Sequence, residues 1–256
     1  MAPNNLRVAI VHDWLTSMGG AEPTVLEIAK LFPNAPIYTS VYDYKKMSAF
    51  HHRDVRTAWL QKIPGTFKFK HTLFPVLRAY AFRRLDLREF DLVISSSSAE
   101  AKAIKKRPDE LHICYCHSPM RYAWENSHSY IREYEIHPLI KKIAPMFMHG
   151  IRMWDKLSAE RVDYFVANSK HIQNRIYKYY RRTSSVIYPF VDTKKFRSSQ
   201  HRENFFLAVG RLTPYKKFDL LVDAFNANGK KLILCTATDT PLFRELKERS
   251  KPNIEW

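Results

Sequence analysis

Short apolar runs that break into a small or polar loop and then into a helical pattern recur along this chain, and that alternation constrains its fold most. Arg7-Val8-Ala9-Ile10-Val11 has the continuous apolar character of a buried parallel strand. His12 to Gly20 follow as loop, where Gly19-Gly20 permits backbone angles that side chains forbid. A helix is predicted from about Pro23, with Val25, Leu26, Ala29 and Phe32 on one face. The cycle repeats as Leu92-Val93-Ile94 runs into Ser95 to Ser98, and as Leu111 to Cys116 runs into His117-Ser118-Pro119. Tyr164 to Ala167 leads into Asn168-Ser169, side chains suited to cap the helix carrying Ile172, Ile176 and Tyr179, and Ser185 to Tyr188 closes the series. Strands alternating with helices predict a doubly wound α/β sheet.

A polar stretch, Asp192 to Asn204, separates this first unit (residues 1–192) from a second (193–256). In the second, Phe205 to Val209 and Lys231 to Cys235 read as strands. Phe218, Leu221, Val222 and Phe225 share a helical face, and Pro241 to Ser250 predicts another helix. So few strands suggest a domain cut short, with Phe206, Leu232 and Leu234 poorly covered. No apolar run approaches the roughly 20 residues that cross a bilayer, and the N-terminus lacks an apolar signal core. With only three cysteines, the expected location is cytoplasmic. The 42 Lys and Arg against 25 Asp and Glu give a net charge of +17, a field that attracts polyanions without choosing among them.

Three constellations could carry chemistry. The loop His12 to Glu22 sits where open α/β sheets bind ligands, and its glycines precede a helix N-terminus able to receive a phosphate, although the spacing fits neither G-x-G-x-x-G nor a P-loop. His117 lands where a strand hands over to a loop, placed to hydrogen-bond a sugar hydroxyl or relay a proton. His112, Cys114 and Cys116 alternate onto one strand face as zinc ligands could; buried free cysteines usually just pack, and no metal is expected. In Gly210 to Lys217, Arg211 can grip a phosphate bidentately and Lys216 can add a point charge.

The Gly19-Gly20-Ala21-Glu22 loop, Tyr115 to Trp124, Asn168-Ser169, Tyr188 to Asp192 and Gly210 to Lys216 occur in an order that resembles the retaining glycosyltransferases of family 4. The likeness is strongest to bacterial mannosyltransferases of O-antigen and exopolysaccharide assembly. It implies a GT-B fold: a complete N-terminal Rossmann-like domain for the acceptor and a partial C-terminal one for the nucleotide sugar, with reaction in the cleft between them. By that resemblance Gly19 and Gly20 approach the donor diphosphate and sugar, His117 contacts the sugar, and Arg211 and Lys216 neutralise the departing diphosphate. Neither metal nor other cofactor is then required. The implied partners are a nucleotide-sugar donor, GDP-mannose as the first guess, and a lipid-linked saccharide acceptor. Two departures stand out. Thr236 to Pro241 replaces the family's glycine-rich turn, and the family's paired-glutamate motif falls beyond Trp256.

Two predicted helices combine apolar faces with cations. Leu73 to Leu85 carries Leu73, Phe74, Leu77, Ala81 and Leu85 with Arg78, Arg83 and Arg84; Ile140 to Lys156 carries Ile143, Met146, Phe147, Ile151 and Trp154 with Lys141, Lys142 and Arg152. Such helices pack on a sheet or lie on an anionic membrane, and a lipid-linked acceptor favours a peripheral place on the inner face of the plasma membrane. The rival functions are a non-catalytic docking partner and a basic nucleic-acid-binding module. No nucleic-acid motif supports the latter, and no nucleic-acid partner is expected.

Overall fold

A computed structural model describes residues 6–63, 75–125, 138–196, 201–236 and 240–256; for residues 138–145 it describes the backbone alone. The chain divides into two compact units, Met1–Phe190 and Val191–Trp256.

Unit 1 is built on seven parallel strands: β1 Val8–His12, β2 Ile37–Thr39, β3 Val55–Thr57, β4 Leu92–Ser97, β5 Leu111–Cys116, β6 Tyr164–Ala167 and β7 Ser184–Val186. Their order is β3-β2-β1-β4-β5-β6-β7, and every pairing is parallel. This Rossmann-like order reverses direction between β1 and β4, and ligands of such sheets bind beyond the carboxyl ends of those strands. Helices cover both faces. α1 (Glu22–Leu31) sets Val25 and Ala29 against Val8, Ile10, Leu92 and Ile94. On the other face α2 (Pro75–Arg83) sets Phe82 against Ala9, Val11 and Val93. After the short α3 (Arg121–Trp124), the 23-residue α4 (Pro138–Glu160) and α5 (Lys170–Tyr180) bring Ala159, Ile172 and Ile176 to that same face, against Cys114, Cys116, Phe165 and Ala167. The alternation along each strand explains the division, since successive side chains point to opposite faces.

Buried ion pairs lock the loop after β4 to these helices. Arg78 of α2 forks onto Glu100 at 3.0 and 2.9 Å, stacks over the Trp14 ring and lies buried. That corrects the expectation that Arg78 faces outward as part of a basic surface. Lys102 pairs with Asp155 of α4, whose carboxylate also accepts from Trp124 Nε1 and Tyr180 Oη, each at 2.7 Å. Of the apolar residues expected on these helices, Ala81, Ile151 and Trp154 pack inward, whereas Leu77, Met146 and Phe147 face solvent. Leu73 and Phe74 lie outside the described residues, as do the side chains of Lys141, Lys142 and Ile143.

Unit 2 is a three-stranded parallel sheet in the order β10-β9-β8, from β8 Phe206–Val209, β9 Leu232–Cys235 and β10 Ile254–Glu255. Helices α6 (Phe218–Asn228) and α7 (Pro241–Arg249) both roof one face. Contrary to the sequence expectation, Leu232 and Leu234 are 1% and 2% exposed, because β9 is the central strand under both helices. The expectation holds for Phe206, which is exposed together with Leu207 and Val209 on the edge strand.

Candidate functional site

The carboxyl ends of β1, β4 and β5 assemble a buried polar cluster. Register does the work: His12 of β1 pairs across from Ser96 of β4, and Ser96 in turn from Tyr115 of β5, which sets His117 just past the strand end. His12 Nδ1 lies 3.0 Å from the Ser96 carbonyl oxygen and 3.2 Å from its hydroxyl. A carbonyl only accepts, so His12 Nδ1 carries the proton. Ser96 Oγ also lies 2.7 Å from His117 Nε2. With His12 Nδ1 donating, His117 Nε2 is the acceptor left for the Ser96 hydroxyl proton among the described residues, and we assign the proton to that bond. His117 is thereby the Nδ1–H tautomer, with that N–H as its donor group. Burial, then the neighbouring His12, lowers its pKa to about 4 against the opposing pull of Asp13 and Glu22, so the ring is neutral near pH 7. Asn168 Nδ2 donates to the His117 carbonyl at 3.1 Å, and Ser169 Oγ caps α5 by accepting from Ile172 N.

Asp13 is the staple of the loop. Its buried carboxylate accepts from the backbone N–H of Ser98 at 2.6 Å, Ala101 at 2.7 Å and Ala99 at 3.1 Å, and from Ser98 Oγ. Glu22, at the start of α1, is also buried and faces two partners: it accepts from Gly19 N at 2.7 Å and stands 3.7 Å from His12 Nε2. Burial would raise its pKa, but His12 and the backbone N–H groups of Glu22 and Gly19 hold it below the ordinary value. A carboxylate therefore already occupies the helix N-terminus that the sequence offered to a phosphate, and the Gly19 N–H is taken.

Gly19 acts by space. Neither Gly19 nor Gly20 has positive φ, which corrects the expectation of special backbone angles. A Cβ on Gly19 would meet Glu22 Oε2 at 3.0 Å, and one on Gly20 would meet nothing within 4 Å. Gly20 stands apart, whereas Gly19 and His117 are brought into one network through Glu22, His12 and Ser96. Those last three, with Asp13, were missed from sequence; a buried-type His and Glu flanking a glycine loop is the only signal the sequence holds for them.

In unit 2, Arg211 and Lys216 share the loop between β8 and α6, both exposed. A Cβ on Gly210 would stand 3.3 Å from the Phe218 ring, a tight contact. A 3-10 turn, Pro214–Lys216, and Lys217 at φ 54 turn the loop into α6. Ala237 to Asp239 lie outside the described residues, while Thr240 Oγ1 caps α7 through Phe243 N at 3.1 Å. His112, Cys114 and Cys116 do share a face, and all are buried. His112 Nε2 bonds Ser95 Oγ at 2.8 Å, and burial lowers its pKa to about 3. Among the described residues no three His, Cys, Asp or Glu side chains gather as a metal site.

The sheet order and the polar cluster at its switch point define a Rossmann-like α/β protein. Residues 18–195 match Glycosyltransferase Family 4, and the chain belongs to that family. Among solved structures it resembles Anabaena Alr3699/HepE in complex with UDP, at TM-score 0.60 and 14% identity, covering 96% of this chain and 68% of that one. The same Anabaena protein with UDP and glucose aligns at TM-score 0.58 and 14% identity, covering 97% and 68%. No match is found among curated proteins.

Proposed function

We propose that this protein is a hexosyltransferase that moves a sugar from a nucleotide donor to a lipid-linked saccharide, with retention of configuration and without a metal, in cell-surface polysaccharide synthesis. The observation that carries the reading is His117, neutral and oriented by Ser96, at the switch point of a family 4 glycosyltransferase sheet. In the reaction the C1–O bond to the diphosphate breaks and a bond to an acceptor hydroxyl oxygen forms. The nucleoside diphosphate departs, and the hydroxyl proton is released. His117 donates its Nδ1–H to a hydroxyl of the transferred sugar; Gly19 and Gly20 stand beside that sugar, and the open space at Gly20 leaves it room to approach. Arg211 and Lys216 offset the charge growing on the leaving diphosphate, a role that metal ions fill in other enzymes. Unit 1 serves the acceptor and unit 2 the nucleotide.

GDP-mannose is the donor we favour from the sequence resemblance. UDP-glucose competes with it, because the Anabaena relative binds UDP and glucose. Among the described residues no helix is long and apolar enough to cross a membrane, and we place the protein in the cytoplasm against the anionic inner face of the plasma membrane, where a lipid-linked acceptor is presented. Incubation with each labelled nucleotide sugar and lipid-linked acceptor tests the reading, with NMR of the product's anomeric proton. Transfer with the donor's anomeric configuration is expected, and His117→Ala should reduce it at least about tenfold. Inverted product refutes retention; unchanged turnover by the folded variant removes His117 from the site.

A further inference from the structure

At the opposite end of the strands from His117, unit 1 has an open groove of about 360 Å³ lined by Arg83, Lys105, Lys106, Arg107, Pro108 and Arg161. The segments supplying them lead into β4, β5 and β6, so the sheet order itself gathers the charge. Two of the cations are held in place internally. Lys106 bonds the Asp163 carboxylate at 2.6 and 2.8 Å, and Arg107 pairs with Asp109 at 3.1 Å while donating to the Arg88 carbonyl. Arg83, Lys105 and Arg161 have no anionic partner among the described residues.

A second feature leads into the same groove. On α4, Met146, Met153 and Leu157 are exposed and fall at helical spacing on one side, with Phe147 beside them. Arg161 follows Leu157 by one turn, with Glu160 the carboxylate nearby. An apolar stripe that ends in unpaired cations matches the boundary between acyl chains and phosphate headgroups.

We infer that this groove takes the headgroup phosphates of anionic phospholipids while the α4 stripe enters the acyl boundary. This rests on the membrane partner proposed above and assigns its contact to an edge of unit 1 remote from His117. A free phosphate would need the cations alone; the contiguous apolar stripe favours the lipid.

Co-sedimentation with vesicles of phosphatidylcholine, with and without phosphatidylglycerol, tests it. The protein should bind the anionic vesicles, and Lys105→Gln/Arg161→Gln should weaken binding at least about tenfold. Met153→Gln/Leu157→Gln should weaken it at unchanged charge. Lys45→Gln/Lys46→Gln, an equal charge loss at exposed sites after β2, should leave it nearly intact. Equal loss in both charge variants would reduce the effect to net charge and overturn the groove. Equal binding by the wild type and the Lys105/Arg161 variant also removes the groove, yet leaves the membrane partner standing. No preference for anionic vesicles removes the membrane partner itself. Calorimetric binding of inorganic phosphate, lost in the Lys105/Arg161 variant while vesicle binding persists, would reassign the groove to free phosphate. None of these outcomes depends on transfer, so the His117 site stands or falls separately.

Discussion

Ser96 carries the orientation of His117, although it faces no substrate in our reading. Removing the Ser96 hydroxyl leaves His117 Nε2 without its donor at 2.7 Å, and the ring is then free to exchange tautomers or turn. In the native protein, 15N NMR of labelled histidine should show His117 protonated at Nδ1 near pH 7. In Ser96→Ala the signal should shift towards the Nε2–H form common in free histidine, and transfer should fall by roughly the tenfold or more expected of misplacing a group at the reacting centre. An Nε2–H signal in the wild type contradicts the assignment. His117 was legible in the sequence because it ends an apolar strand. Ser96, His12 and Glu22 were not, because their meeting depends on strand register across 84 residues of chain. Gly19 and Gly20 were legible as a loop at the strand end, but the reason for Gly19 lies in the Glu22 carboxylate rather than in backbone angles, and Gly20 has open space around it.

Individual elements are fixed by buried charge as much as by apolar packing. Asp155 joins α4 to Lys102, to Trp124 of α3 and to Tyr180 of α5. Asp155→Ala strands a buried ammonium and should cost about 3–5 kcal/mol. Urea unfolding measures it, and a loss under about 1 kcal/mol shows that Lys102 finds other partners. These pairs could not be read from sequence, because Arg78 and Glu100 lie 22 residues apart, Lys102 and Asp155 lie 53 apart, and they meet only in the folded chain. The long apolar strands β1, β4 and β5 were legible from composition alone. β2, β3 and β10 were missed, since two or three residues are too short to display a period. Missing β10 also explains the wrong expectation for Leu232 and Leu234: without it β9 looks like an exposed edge.

Across the whole molecule, buried neutral histidines couple folding to pH. His117 and His112 titrate near 4 and 3 in the folded chain, below the ordinary 6.5. The unfolded chain takes up their protons first, so their contribution is complete above about pH 6.5 and declines as pH falls towards 4. Each histidine costs at most about 1.4 kcal/mol per pH unit over that window. The thermal midpoint should therefore drop between pH 7 and pH 4.5, and His112→Gln should flatten that drop; a midpoint constant over the range contradicts it. The claim that unit 2 holds the nucleotide of a transferase is tested most directly by calorimetric titration with GDP and UDP. The account predicts saturable binding of at least one of them. It also predicts that Arg211→Ala/Lys216→Ala loses roughly 1.5–3 kcal/mol per charged hydrogen bond removed, at least about tenfold in affinity. Equal affinity in the wild type and the double variant would contradict it.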